Sequence, residues 1–252
     1  MLWNMTSYGP GWQLEDQLTQ AITPDTTLGE IVTQRPELAR ELEKRSLDYC
    51  CGGKRSLAEA CSAEGLDATS VAEELSSLET AGPADWGEMG LAELADHIEN
   101  VHHSYVLEEL PRLSALASKV NSVHGDRHAE LADVERIWSR LRSDLETHLG
   151  KEEEILFPMI HQLVEASGPL DFHCGSLQNP IRVMLMEHDD AGEMLAELRR
   201  LTGDFTPPGD ACESYKALYA GLEEFEKDLH MHIHKESNLL FPGVIELEES
   251  MD

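Results

Sequence analysis

His148-Leu-Gly-Lys-Glu152-Glu-Glu-Ile-Leu-Phe-Pro158 and His232-Ile-His-Lys-Glu236-Ser-Asn-Leu-Leu-Phe-Pro242 are two copies of one segment, 84 residues apart, and each interrupts an apolar stripe. In the first copy the stripe runs Leu141, Leu145, His148, Glu152, Ile155, Met159, Leu163; in the second it runs Leu218, Leu222, Phe225, Leu229, His232, Glu236, Leu239. Steps of three and four residues are the seam by which one helix faces another, so a histidine and a carboxylate stand at core positions in both helices. Residues four apart share one helix face and can reach a common ion. Burying one unpaired carboxylate costs several kcal/mol or forces its neutralisation, and burying two side by side adds repulsion. A bound cation removes that conflict. A lone buried histidine is more often a hydrogen-bonded core residue, and a single His/Glu pair is often a surface contact; duplication of the pair is what sets this chain apart.

Two further helical patterns complete the set. Ile181, Leu185, His188, Ala191, Leu195 and Leu198 form one stripe with His188 at its centre, and Val101-His102-His103-Ser104-Tyr105 lies in the other. Helical phase alone leaves His102 and His103 both open as the inward residue. The four patterns span roughly Leu91 to Val120, Asp133 to Ala166, Pro180 to Thr202 and Ala211 to Glu248, nothing reads as strand, and the connections SVHGDRH, SGPLDFHCGSLQNP and TGDFTPPGD are rich in breakers. The expected fold class is all-α, an antiparallel four-helix bundle. Four histidines and two carboxylates form an N/O donor set suited to iron, manganese or zinc, and two carboxylates can span a metal pair. Ferritin-like bundles use Glu-x-x-His and more carboxylates than histidines, the opposite balance.

Upstream, the expected organisation is a leader over 1–26, a small helical cysteine-bearing domain over 27–80, a linker over 81–90 and the bundle over 91–252. The small domain shows short helical patterns on either side of Cys50-Cys51-Gly52-Gly53. Lys54 and Arg55 close by predict a lowered thiol pKa, and the two glycines a mobile backbone. Adjacent Cα atoms about 3.8 Å apart fall below the usual disulfide window, so a Cys50–Cys51 bridge would be strained, and reduced thiols in a cytoplasm fit better. Cys61, Cys174 and Cys212 read as packing residues, and His97, His128, His161, His173, His230 and His234 as surface residues or neighbours of the site.

The 252 residues carry 19 Lys and Arg against 49 Asp and Glu, a formal charge of −30, with 41% hydrophobic content. Such a chain repels phosphate backbones and anionic membrane surfaces, so neither nucleic acid nor membrane is an expected partner. No stretch approaches 18 consecutive apolar residues and no secretory leader is evident, so a cytoplasmic location is expected.

At Asp48-Tyr49-Cys50-Cys51-Gly52-Gly53-Lys54, His103 seven residues before Leu110-Pro111, Val123-His124-Gly125-Asp126, the two His-x-x-x-Glu segments and Glu187-His188-Asp189, the chain resembles the di-iron iron–sulfur cluster repair proteins. These join a cysteine-bearing domain to a hemerythrin-like bundle, and the likeness covers nearly everything from Leu28 onward. The resemblance implies that His103 rather than His102 is the first-helix ligand, that His148, His188 and His232 are the others, and that Glu152 and Glu236 bridge. It implies two non-haem irons with an oxo or hydroxo bridge, places His124 beside the site or as an auxiliary ligand, and gives Cys50 and Cys51 a part in relaying iron, nitric oxide or electrons. The implied function is restoration of iron–sulfur clusters damaged by nitrosative or oxidative stress by donation of iron, with damaged iron–sulfur proteins as clients and nitric oxide or oxygen as small-molecule partners. Two other functions fit the same site: an oxidoreductase acting on nitric oxide or peroxide, and an oxygen- or nitric oxide-binding sensor. Oxygen-carrying hemerythrins would show further histidines, whereas here Gly192 stands four residues after His188.

Overall fold

A computed structural model describes residues 21–78 and 85–251 of the chain. Two capping boxes open the small unit. Thr27 caps α1 (Leu28–Gln34) with Glu30 reaching back, and Ser56 caps α3 (Leu57–Glu64) with Glu59 doing the same. Each box satisfies two otherwise orphaned amides. The caps lie side by side through a Thr27–Ser56 bridge. Between them come α2 (Ala39–Glu43) and the cysteine loop, and α4 (Ala68–Ser77), capped by Asp67, follows. The unit begins earlier than the sequence predicts: Ile22 is buried, and Ala58 N–H and Leu57 N–H donate to Pro24 O and Thr26 O. Most of the expected leader, the last two residues of the expected small domain and residues 81–84 of the expected linker lie outside the described residues; Asp85–Glu88 form a short 3₁₀ turn.

The bundle has four rods, three of them interrupted by a π turn. The first is α5 (Leu91–His97), a π turn (Ile98–His103) and α6 (Ser104–His124); the second is α7 (Glu130–Lys151), a π turn (Glu152–Leu156) and α8 (Phe157–Glu165). The third is α9 (Gln178–Leu201), and the fourth is α10 (Glu213–Lys235), a π turn (Glu236–Leu240) and α11 (Phe241–Met251). Contacts of α6 with α7, α7 with α9, α9 with α10 and α10 with α6 close the ring. Among the described residues there is no strand, only two isolated bridges, and no helix is long and apolar enough to cross a membrane.

The π turns correct the expected stripes. Phe157 N–H donates to Glu152 O and Phe241 N–H to Glu236 O, each five residues back, so one extra residue enters each turn. The inward position next to each turn shifts by one, while the expected Met159 and Leu163 remain buried. Ile155 is 46% exposed while Leu156 is buried, and Leu239 is half-buried while Leu240 is buried.

Two apolar clusters result. The larger joins the small unit to one end of the bundle, with Tyr49 and Leu57 in the same cluster as Leu141, Leu195 and Phe225. The smaller fills the other end around Ile98, Leu156, Ile181 and Leu240, and the 166–177 connection seals it with Phe172 and Leu177. Between them lies a layer of buried polar side chains at His103, His148, Glu152, His188, His232 and Glu236. An apolar core that stops for six polar residues and then resumes needs a chemical reason.

Candidate metal centre

In that layer the side chains form two groups that share both carboxylates: His103, His232, Glu152 and Glu236, and His148, His188, Glu152 and Glu236, with the candidate ligand atoms of each group within 4.8 Å of one another. His103 Nε2 lies 3.5 Å from Glu152 Oε2, and His232 Nε2 lies 3.0 Å from Glu236 Oε1. In the other half His148 Nε2 is 3.3 Å from Glu152 Oε2 and His188 Nε2 is 3.1 Å from Glu236 Oε2. His148 and His188 present Nε2 to Nε2 at 3.2 Å. None of the four carboxylate oxygens has a hydrogen-bond partner, nor do His103 Nε2 and His232 Nε2. Native proteins pair nearly all buried polar atoms. Six orphaned donor atoms converging on one small volume fit a pair of cations, and the imidazole and carboxylate donors fit iron, manganese or zinc.

Outer partners orient three of the four rings. His103 Nδ1 donates to Glu153 Oε1 at 2.9 Å and His148 Nδ1 to Glu187 Oε2 at 2.8 Å, leaving each Nε2 lone pair facing the centre. Glu187 is itself held by Lys151. His188 Nδ1 meets Ser237 Oγ at 3.1 Å. Burial disfavours charge on His148, but Glu152, Glu236 and Glu187 outweigh it and raise its pKa to about 9. His232 is different: burial depresses its pKa to about 4 despite Glu236. Burial opposes ionisation of Glu236 too, but His232 and His188 hold its carboxyl well below the usual range. Two carboxylates stay anionic only where positive charge is supplied.

A cavity of about 270 Å³ leads to this layer, reaching His148, His188 and His232 between apolar walls of Leu141, Leu145, Met194 and Leu229. Asp144, Lys151, Glu187 and Asp190 also line it.

Residues 91–244 match the hemerythrin HHE cation binding domain, and residues 24–79 match a domain of unknown function, DUF542. The iron-sulfur cluster repair protein YtfE of Citrobacter koseri is 39% identical over 222 residues, which are 88% of this chain and 97% of that protein. The proteins of the same name from an Enterobacter species and from Escherichia coli O81 show the same identity and coverage. The chain belongs to this family. The match runs through both units of the chain, so the cysteine loop and the hemerythrin bundle are inherited together.

Within this hemerythrin-type bundle, His102 and His103 part company. Both are buried, but only His103 joins the cluster. His102 Nδ1 donates to Asp228 Oδ1 at 2.9 Å, and Lys235 Nζ donates to His102 Nε2 and His97 Nε2, both at 2.8 Å. His124 is a correction. It lies at the far end of α6, 21 residues beyond His103 or about 30 Å along a helix, and its Nε2 sits 3.2 Å from Cys212 Sγ. It takes no part in the cluster. Cys212 is exposed rather than packed.

The cysteine loop also departs from expectation. All five cysteines are unbridged, with Cys50 Sγ and Cys51 Sγ 3.8 Å apart. Asp48 accepts the amides of Cys50, Cys51 and Gly52 and the Cys50 thiol. The Cys51 thiol, burial and the Asp48 carboxylate together push the Cys50 pKa up, reversing the effect expected of Lys54 and Arg55. The glycines serve close approach rather than mobility: a Cβ on Gly53 would meet Asn238 Oδ1 at 2.3 Å, and one on Gly52 would meet Asp48 O at 2.7 Å. Asn238, inside the fourth-rod π turn, donates to Tyr49 O at 3.2 Å and Cys50 O at 3.0 Å. Cys51 Sγ rests against α9, 3.7 Å from where a Cβ of Gly192 would stand. That glycine is one turn from His188.

Sequence reasoning missed Glu153, Ser237, Asn238 and the interior position of His234. His234 is buried, and burial lowers its pKa to about 4; its Nε2 lies 3.3 Å from Thr33 Oγ1, so it joins the two units. No periodic signal marks such a residue, because the surface that covers it comes from elsewhere in the chain.

Proposed function

We propose that this chain carries two iron ions, one between His103 and His232 and one between His148 and His188, with Glu152 and Glu236 shared, and that it donates iron to damaged iron–sulfur proteins. The convergence of six unpartnered buried donor atoms supports the reading most. The relatives named as iron-sulfur cluster repair proteins supply the client class. When bound, the ions would supply Lewis acidity, one-electron redox chemistry and open positions for solvent or a diatomic molecule.

The chain's own residues do the rest. Glu153, Glu187 and Ser237 aim imidazole lone pairs inward, and the apolar cavity walls limit water around the centre. Cys51 lies against Gly192, one turn from His188, with Cys50 beside it, and Asp48, Cys50 and Cys51 offer three ligand atoms within 4.8 Å of one another that could receive iron. Five unbridged thiols suit a reducing cytoplasm.

The test is transfer. Anaerobic, iron-loaded protein should reactivate an enzyme with a nitric oxide-damaged cluster faster than an equal concentration of ferrous salt. Equal or faster recovery with the salt removes the donor function. A gas-binding function is favoured by the apolar cavity reaching three of the histidines; stable, reversible binding of oxygen or nitric oxide without iron transfer would favour it instead.

A further inference from the structure

The two halves of the centre are not equally braced. In the half formed by His148 and His188, both outer nitrogens are engaged, by Glu187 Oε2 at 2.8 Å and Ser237 Oγ at 3.1 Å. In the other half His103 has Glu153, but His232 Nδ1, buried, has no partner among the described residues. His102 cannot supply one. Its ring lies parallel to that of His232, 5.7 Å between centroids and 11° between planes, and its nitrogens are committed to Asp228 and Lys235.

A second orphan lies nearby in sequence. Asp228 Oδ2 is buried and unpartnered, while Asp228 Oδ1 accepts from His102. Asp228 precedes His232 by four residues in α10, hence on the same helix face, and a helical side chain leans back over the preceding turn. One carboxylate therefore stands one turn before a ligand histidine that lacks an acceptor, yet is bound to a histidine outside the cluster. Outer acceptors raise the basicity of a ligating imidazole and fix its orientation, and losing one typically costs about 10- to 100-fold in metal affinity.

We infer that the His103/His232 half is the releasing half of the centre, that His232 is the ligand that lets go, and that His102 keeps it loose by holding Asp228. The inference deepens the iron-donor reading and rests on it. Within this half His232 lines the cavity and His103 does not; the cavity also reaches His148 and His188, so access alone does not distinguish the halves and the difference rests on the outer acceptors.

The experiment is iron release from the two-iron protein into a ferrous chelator, followed by absorbance under anaerobic conditions. Native protein should give two phases of one iron each, their rates about 10- to 100-fold apart. Glu187→Ala, which removes the acceptor of His148, should accelerate the slow phase and leave the fast one unchanged. His102→Phe keeps a ring over His232 and frees Asp228, so it should slow the fast phase; a gain of retention cannot come from misfolding. Release of both irons at one rate overturns the inference, as does a fast phase that answers to Glu187→Ala or ignores His102→Phe. Failure of the native protein to hold two irons would instead overturn the two-iron reading on which it rests.

Discussion

At the residue scale, the central fact is that Glu152 and Glu236 are fully buried with no hydrogen bond to any carboxylate oxygen. In the metal-free protein Glu152 is the counter-charge of the buried His148, whose pKa it raises, and removing one partner of a buried pair costs about 3 to 5 kcal/mol. Glu152→Leu should therefore lower the melting temperature of the metal-free protein by several degrees, on the order of 5 °C or more, while lowering bound iron. Differential scanning calorimetry beside metal analysis checks this; an unchanged or higher melting temperature would mean that the imidazoles do not depend on the carboxylate. The two His-x-x-x-Glu pairs were legible in the sequence because a polar residue at a seam position violates the stripe. The choice of His103 over His102 was not legible from phase, since both are buried and only the engagement of His102 by Asp228 and Lys235 separates them. His124 was misplaced because resemblance carries no distance; 21 residues of helix do.

At the scale of elements, four rods and their connections could be read from periodicity, but the π turns could not. A π turn leaves the composition of a stripe intact and shifts it by one, and Leu156 and Leu240 were equally plausible apolar neighbours of Ile155 and Leu239. Each π turn begins or ends at a candidate ligand, His103, Glu152 or Glu236. The fourth-rod turn also carries Asn238, which ties the centre to the cysteine loop. Asn238→Leu takes the donor from two carbonyls, an expected loss of about 1 to 3 kcal/mol in holding the loop. Amide exchange across residues 48–55 should quicken, with little change in the rest of the bundle. Unchanged exchange would show that Asn238 does not hold the loop. Gly192→Leu fills the notch under Cys51 and should slow iron transfer without changing iron content; an unaltered transfer rate would show that the seat of Cys51 is not used.

At the scale of the whole molecule, the small unit and the bundle share one apolar cluster, and polar contacts pin them together. One is Glu43, which accepts from Tyr49 Oη at 3.0 Å and lies 3.5 Å from His230 Nδ1. Burial works against its ionisation, but His230 and Tyr49 prevail and lower its pKa below the ordinary carboxylate value. A depressed carboxyl stabilises the folded state above the unfolded pKa, and that contribution is lost as pH falls through the folded value. Docking should therefore hold at neutral pH and weaken below about pH 4.3, and Glu43→Gln should flatten this fall, as followed by tryptophan emission on titration with acid. The formal charge of −30 acts over the same surface. Screening of self-repulsion predicts a melting temperature that rises as salt is raised to about 0.15 M, where the Debye length is about 8 Å. The contact between units was the least legible part of the sequence, because His234, Thr33 and Asn238 gain meaning only once distant segments meet.

The most direct measurement is iron stoichiometry with Mössbauer spectroscopy on protein loaded anaerobically, in the native chain and in Glu152→Leu and Glu236→Leu. Two irons per native chain, and the loss of at least one in each variant, is the predicted result. Retention of both irons by either variant would show that its carboxylate does not hold metal, and would contradict the shared-carboxylate centre on which the proposed function depends.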